Sequence, residues 1–356
     1  MRKIVFYLRT QLQLITALNI IDYLGFKQEE ISCILSDRLI QNDLKNKIDN
    51  LHIFKHIYIL PHKHINLKKW LQSDDLRNQL PIQSTNKLNF SCISNYEKYL
   101  DRYFKKPLRI LKEASDIFSH SDFDLISNLC PKSCRRHLLD EGTRSYLEIS
   151  LQSQPDRIYL YEPKLVTFPT ENLQIIQIPK ISKNRKILLH WISSIFKCNP
   201  CLANNIYFDQ PLGKRAVLPF LCFSKKTKAE VKKFNARLRI ISQLNVKENN
   251  ICLRLHPGTT KSQIKYLSRH FKTTESPTPF EVELIHSNAN RYNLSTISSS
   301  AACYWLIMFD RNFFSNKPIH VTVYYNEYRA LSGDTSSPQL ITFFNKLKSI
   351  YPIDIL

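Results

Sequence analysis

Short apolar runs and near-helical spacings take turns along this chain. Residues 3–8 (Lys-Ile-Val-Phe-Tyr-Leu) are apolar from Ile4 onward and read as a buried strand. Residues 11–24 then set Leu12, Ile15, Leu18, Ile21 and Tyr23 at near-helical spacing. Residues 51–60 (LHIFKHIYIL) read as a strand ended by Pro61, and 64–78 and 94–118 as helices. His137-Leu138-Leu139 is a short strand running into Asp140, with a helix over 143–150 and another strand at 158–161. Strands alternating with helices predict an α/β domain with a parallel sheet.

Residues 162–183 hold three prolines and little periodicity, which marks a linker. A second α/β unit follows. Residues 204–208 read as a strand ending at Asp209-Gln210-Pro211, and 251–255 as a strand stopped by His256-Pro257. Residues 225–244 form an amphipathic helix, with Val231, Phe234, Leu238 and Ile241 on one stripe. Residues 282–285 read as the next strand, 301–309 as a buried helix or strand, and 319–325 as a β run. The domains expected are 1–170 and 171–356.

Composition narrows the chemistry. Only five glycines occur in 356 residues, and none is spaced for G-x-G-x-x-G or for a Walker loop. Any phosphate must therefore be held by side chains or at a helix N-terminus. The formal charge is +21, and residues 179–272 alone carry 20 basic and 3 acidic side chains. That imbalance calls for an anionic partner: nucleic acid, anionic lipid or a nucleotide substrate. Nine cysteines at irregular spacing do not make a disulfide framework. Cys130, Cys134, Cys198 and Cys201 could supply four zinc thiolates, but reduced buried thiols fit the loose spacing better. Asp122-Phe123-Asp124 has D-x-D spacing with no strand before it and reads as an acidic helix start, so no metal is expected. Arg9, Gln11, Gln13 and Asn19 break the N-terminal apolar run, which makes it a first strand rather than a signal peptide and the expected location cytoplasmic.

Three short motifs carry candidate chemistry. Asp140-Glu141-Gly142 puts two carboxylates at a strand end, where mutual repulsion favours one as a general base; a solvated acidic turn is the plain alternative. Arg254-Leu255-His256-Pro257-Gly258 puts a cation and an imidazole on one face of a strand end, a combination suited to phosphate. Ser298-Ser299-Ser300 precedes a buried apolar segment, as a helix cap or an anion site would.

In order and spacing, these motifs resemble those of the bacterial sialyltransferases of glycosyltransferase family 52, which are akin to the bacterial polysialyltransferases. Thr10-Gln11-Leu12-Gln13-Leu14 is similar to that family's opening T/S-P-L-Q-L, with Gln11 in place of proline. Asp140-Glu141-Gly142, His256-Pro257 and Ser299-Ser300 match its acidic, His-Pro and Ser-Ser motifs. Pro279-Phe280-Glu281 and Gln210-Pro211-Leu212 resemble further segments. The resemblance implies a GT-B fold, two Rossmann-like domains facing a central cleft. It also implies inverting, metal-independent transfer of sialic acid from CMP-sialic acid to a hydroxyl, such as one of galactose, on a surface glycan like lipooligosaccharide or capsule. On that reading Asp140 is the base, with Glu141 second, and His256 meets the departing CMP phosphate. Arg254 and Pro257 would lie near the nucleotide, Glu281 would take the ribose hydroxyls, and Ser298, Ser299 and Ser300 would hold the donor phosphate. No cofactor is implied beyond the donor substrate.

The basic segment then has two uses. Part would line the donor site. Lys225, Lys226, Lys228, Lys232, Lys233, Arg237 and Arg239, with Arg185 to Trp191, would hold the enzyme against the inner face of an anionic membrane bearing a lipid-linked acceptor. A solvated helix face is the plain alternative. Transfer of another sugar on the same scaffold is a second reading. A basic nucleic-acid-binding protein is a third, without a zinc-finger, helix-turn-helix or RNP-type pattern to support it. A homodimer is compatible with all of these.

Overall fold

The computed structural model describes residues 2–36, 39, 43–60, 97–98, 100–102, 104–120, 129–147, 155–196, 203–213, 225–274, 276, 278–334 and 337–356, with only the backbone at 225 and 226. The chain divides into two compact units. The first comprises residues 1–163, 168–179 and 184–197, and the second 164–167, 180–183 and 198–356.

In the first unit, strands β1 (Ile4–Leu8), β2 (Ile31–Ser36), β3 (His56–Leu60), β4 (Asp116–Ser119), β5 (Arg135–Leu139), β6 (Arg157–Leu160) and β7 (Ile175–Gln177) form a parallel sheet. Their order is β3-β2-β1-β4-β5-β6-β7. The helices are α1 (Gln11–Leu24), α2 (Leu44–Asp49), α3 (Lys105–Lys112), α4 (Arg144–Leu147) and α5 (Lys186–Ile195). Strands β1, β2 and β4 are buried along their whole length, and in β1 this shows as an unbroken apolar run. Phe6 of β1 stacks on Phe118 of β4 at 4.7 Å between ring centroids. Thr10 caps α1 by accepting from Gln13 N at 3.2 Å, and Gly25 (φ +62°) ends it in the left-handed region.

The second unit repeats the plan. Strands β8 (Asn205–Phe208), β9 (Cys252–Arg254), β10 (Lys272–Thr274), β11 (Tyr292–Thr296), β12 (Ile319–Val323) and β13 (Asp354–Ile355) run parallel in the order β10-β9-β8-β11-β12-β13. The helices are α6 (Lys225–Lys247), α7 (Lys261–His270), α8 (Phe280–His286), α9 (Tyr304–Met308), α10 (Tyr325–Ser332) and α11 (Pro338–Ile350). In both units the first strand sits centrally, the second and third lie to one side and the fourth to the other. This is the Rossmann order, and it puts a switch point between β1 and β4 and another between β8 and β11. The chain is thus α/β with two Rossmann-like units, the pair from which a GT-B protein is made.

Several expectations are corrected. The first unit runs past residue 170, because β7 and α5 complete it. Residues 94–118 do not form one helix: their end is β4, a four-residue strand too short to show a rhythm of its own. Residues 282–285 are helical within α8, which Pro279 opens as N-cap. Strands β2 and β11 and helices α7 and α11 are additional to the expected elements. The helix expected over 64–78, the D-x-D turn, and Cys198 and Cys201 lie outside the described residues. Cys130 and Cys134 are buried thiols.

The largest correction concerns Arg237, expected on the solvated basic face of α6. It is fully buried and makes a two-pronged pair with Asp209, its Nε donating to Asp209 Oδ1 at 2.8 Å and its Nη2 to Oδ2. Arg185, expected on a second basic face, is tied to Asp22 and Asn19 of α1. No helix among the described residues is long and apolar enough to cross a membrane.

Candidate functional site

Each unit gathers expected residues at the carboxyl ends of its central strands, where open α/β sheets bind ligands.

In the first unit Asp140 and Glu141 follow β5. Their surroundings differ sharply. Asp140 has no exposed surface. Its Oδ1 accepts from Gly142 N at 3.1 Å, and its Oδ2 accepts from Tyr161 N at 3.1 Å and from the Tyr146 hydroxyl. Burial and the Asp140 charge push the Tyr146 hydroxyl well above its ordinary range, so it stays a donor. Asp140 is therefore an anchor that fixes the turn. Glu141 keeps a side chain 17% exposed. Its Oε1 meets His120 Nε2 at 2.5 Å, and its Oε2 accepts from Gln13 Nε2 at 2.5 Å. Of the two acids, only Glu141 offers a carboxylate that solvent and a substrate can reach. Burial thus leaves Glu141, ranked second of the two, in reach of solvent and Asp140 below the surface.

In the second unit His256 follows β9. Gly258 N donates to His256 Nδ1 at 2.9 Å, so the neutral ring carries its proton on Nε2. A Cβ on Gly258 would lie 3.0 Å from Nδ1, so the absence of a side chain permits this close turn. Burial, then the charge of Arg237, lowers the imidazole below its ordinary pKa and favours the neutral ring. The result is a neutral N–H donor at a strand end. Pro257 is exposed beside it.

Arg254 is held by the segment that follows β10. Its Nη1 donates to both Glu283 oxygens at 2.8 Å, its Nη2 donates to Thr278 O at 2.5 Å, and its guanidinium lies 5.6 Å from the Phe280 ring centroid. It clamps the turn that presents Glu281, two residues before Glu283. Glu283 is absent from the sequence-derived set, since an acid in an apolar stretch gives no sign of its partner. Glu281 is 3% exposed, and burial pushes its carboxyl up to about 7. Burial, then the Glu281 charge, pushes the Cys303 thiol up to about 12.

The serines leave β11. Ser299 N donates to Thr296 Oγ1 at 2.8 Å, and Thr296 Oγ1 donates to Phe208 O at 3.0 Å, which ties this exit to the end of β8. Ser299 is buried, while Ser298 and Ser300 are half-buried. The expected helix is a 3-10 turn over Ser300–Ala302 followed by the short α9. Arg254 and His256 thus leave the end of β9, the serine segment leaves β11 and is tied to the end of β8, and Glu281 stands in the first turn of α8, two residues before the partner of Arg254, Glu283.

The Glu281 carboxyl carries a pH prediction. An acid raised in the fold stabilises the protein only while protonated, so its ionisation penalty grows from the unfolded value of about 4.5 and is complete above about 7. Glu281→Gln is expected to match the wild type near about pH 4 and to exceed its stability near about pH 9 by on the order of 3 kcal/mol. Denaturant unfolding at the two pH values reads this directly, and equal stabilities at high pH would remove the assignment.

No family model matches the chain, and no curated protein matches it. Among solved structures, 17 chains match. The S. aureus MnaA–UDP co-structure aligns with 11% identity and a TM-score of 0.44, over 98% of this chain and 88% of that one. The spinosyn rhamnosyltransferase SpnG complexed with thymidine diphosphate aligns with 10% identity and a TM-score of 0.36, over 98% and 91%. Arabidopsis thaliana UGT89C1 complexed with UDP-L-rhamnose aligns with 12% identity and a TM-score of 0.37, over 98% and 94%.

Proposed function

We propose that the protein is an inverting glycosyltransferase that moves sialic acid from CMP-sialic acid to a hydroxyl of a surface glycan. The observation that carries this reading is that His256 and Ser298–Ser300 follow β9 and β11, the two neighbours of β8, and that the end of β8 is hydrogen-bonded to both exits. In this reading the second unit holds the donor and the first acts on the acceptor.

The chemistry suits these groups. The anomeric carbon of sialic acid is tertiary and bears a carboxylate, so its bond to phosphate breaks toward an oxocarbenium-like state. What the reaction needs is stabilisation of the charge that builds on the leaving phosphate. His256 Nε2–H and the serine hydroxyls supply donors, and Glu281 accepts from the ribose hydroxyls. The acceptor hydroxyl needs one accessible carboxylate, and Glu141 fits that role better than Asp140.

The test is ligand-induced stabilisation across a panel of nucleotides, followed by CMP release from CMP-sialic acid in the presence of galactose-terminated acceptors. Stabilisation by CMP and turnover lost in His256→Ala support the proposal. Stabilisation by UDP or thymidine diphosphate with none by CMP would replace the donor with another nucleotide sugar. Tight RNA or duplex binding without nucleotide binding would overturn the enzyme reading.

Membrane association belongs to the same proposal. Lys228, Lys232, Asn235 and Arg239 follow one exposed stripe of α6 and, with Val231, Ala236 and Leu331, line a groove of about 380 Å³. Its charge complements anionic headgroups. Cosedimentation with phosphatidylglycerol-rich vesicles, absent with pure phosphatidylcholine and weakened by salt, is expected. Reversing Lys228, Lys232 and Arg239 to Glu should abolish it, and undiminished binding would exclude this face.

A further inference from the structure

The polar residues of β11, β12 and β13 fall into line on one face of the second sheet. A parallel sheet is ordinarily covered on both faces, and its strands then read as nearly continuous apolar runs. Here β11 (Tyr-Asn-Leu-Ser-Thr) and β12 (Ile-His-Val-Thr-Val) alternate instead. Leu294, Val321 and Val323 are buried, while Asn293, Ser295 and Thr322 are half-buried and His320 is exposed. The register sets Asn293 beside His320, and Ser295 beside Thr322, whose other neighbour is Asp354 of β13. Residues paired across a parallel sheet share a face, so the three strands present one polar surface. These residues line a cavity of about 200 Å³, together with Glu248 after the end of α6, Tyr324 and Leu356.

The hydrogen bonds around the cavity leave groups over. Glu248 O can only accept, so Asn205 turns its Nδ2 toward it, at 2.8 Å. Asn205 Oδ1 then accepts from Asn293 Nδ2 at 2.9 Å. The chain of bonds fixes both amides and leaves Asn293 Oδ1 as an acceptor for something else. The hydroxyls of Ser295, Thr322 and Tyr324 have no partner among the described residues. Tyr324 is 7% exposed, and polar side chains so buried are nearly always bonded. Burial, then the charges of Glu248, Glu327 and Asp354, raises its phenol, which therefore keeps a proton to donate.

We infer that this face binds one uncharged sugar ring, at a site separate from the nucleotide site proposed at the carboxyl ends of β8, β9 and β11. Sugar hydroxyls both donate and accept, and the ring has an apolar C–H face. The lining matches on each count. Asn293 Oδ1 and the Asp354 carboxylate accept, the three hydroxyls give or take a proton, and Leu356 with the Tyr324 ring offers apolar surface. The charges balance: Lys247 is offset by Glu248, and His320 Nε2 lies 3.0 Å from Asp354 Oδ2. In a chain of net charge +21 such a neutral spot is the exception, and its two carboxylates would repel a phosphate. At about 200 Å³ the cavity is smaller than the roughly 300–1,000 Å³ of sites for drug-sized ligands, which suits one ring rather than a nucleotide. Asn293 and Ser295 lie within β11, whereas Ser298–Ser300 follow its end, so the two sites do not share a residue. The inference does not depend on the transferase reading.

The test is saturation-transfer NMR on the full chain with maltose, lactose and chitobiose, each titrated to about 20 mM, with and without CMP. Thr322→Val and Tyr324→Phe each remove one hydroxyl and keep the side chain's shape, and thermal unfolding checks that both variants fold. At least one disaccharide should bind with a Kd in the millimolar range. CMP should not displace it, and each variant should weaken it by about 3- to 10-fold, the effect of one uncharged hydrogen bond. Absence of binding by all three sugars would overturn the inference. Wild-type affinity in both folded variants would overturn the location, and displacement by CMP would move the sugar to the nucleotide site. Inorganic phosphate that binds in the wild type and is lost in the variants would replace the sugar with an anion. If a sugar binds here but no nucleotide binds anywhere, the transferase reading fails and the saccharide site stands.

Discussion

Glu141→Gln is expected to lower turnover by roughly 10²- to 10⁴-fold while leaving the fold and nucleotide binding intact, the range general-base removal usually costs. Asp140→Ala is expected to behave in the opposite way, losing stability first and activity as a consequence. The reason is the distribution of donors. Asp140 has no exposed surface and accepts from Gly142 N, Tyr161 N and the Tyr146 hydroxyl. Removing it strands three buried donors, each worth about 1–3 kcal/mol, so a loss of at least about 3 kcal/mol is the expected scale. Glu141 sits where its two partners, His120 and Gln13, can be rehydrated when it becomes an amide, so its replacement should leave the melting temperature near that of the wild type. Thermal unfolding alongside CMP-release rates separates the two acids. An Asp140→Asn protein that melts normally but is inactive, beside a Glu141→Gln protein that is active, would return the base to Asp140.

The contrast shows which parts of the site a sequence can carry. Asp140-Glu141-Gly142 and His256-Pro257 are legible because each follows a short apolar run and ends in Pro or Gly, so the strand end marks itself. Which acid of the pair faces solvent depends on Tyr146 and Tyr161, and nothing local announces either as a partner. His120 is hidden for another reason. It follows β4, whose first three residues, Asp-Ile-Phe, are swallowed by the helical pattern of 94–118. Residues 282–285 mislead because a Val-Glu-Leu-Ile run suits a strand as well as a helix, and only Pro279 as N-cap decides for the helix. The two-unit α/β plan survives these errors, since it rests on the alternation of many elements rather than on any one.

The second large effect is expected at Arg237. On an amphipathic helix with eight basic residues a buried arginine is the exception, and the carboxylate that makes it tolerable, Asp209, lies 28 residues earlier at the end of β8. Both side chains are fully buried. Desolvation pushes the Asp209 carboxyl up, against the pull of Arg237. Arg237 Nη1 has no acceptor among the described residues, so the pair is not an ideal one. Arg237→Met or Asp209→Leu alone should each cost about 3–5 kcal/mol, because each leaves one buried charge without its counter-ion. The double replacement removes both desolvation penalties and should recover most of that loss. Denaturant unfolding of the three variants measures the coupling, and simple additivity would show that the two residues act independently. The pair also bears on the site. Asp209 N donates to Arg254 O at 3.0 Å, joining the ends of β8 and β9 just before His256. The positive charge of Arg237 is one of the two influences that lower the His256 imidazole, after burial. In the double variant, which keeps the fold but not the charge, the His256 pKa should therefore rise toward its ordinary value. Protonation would then reach Nδ1 at a higher pH and break its bond from Gly258 N, so the low-pH loss of CMP release should begin at higher pH than in the wild type. An unchanged pH profile in a folded double variant would confine Arg237 to stability alone.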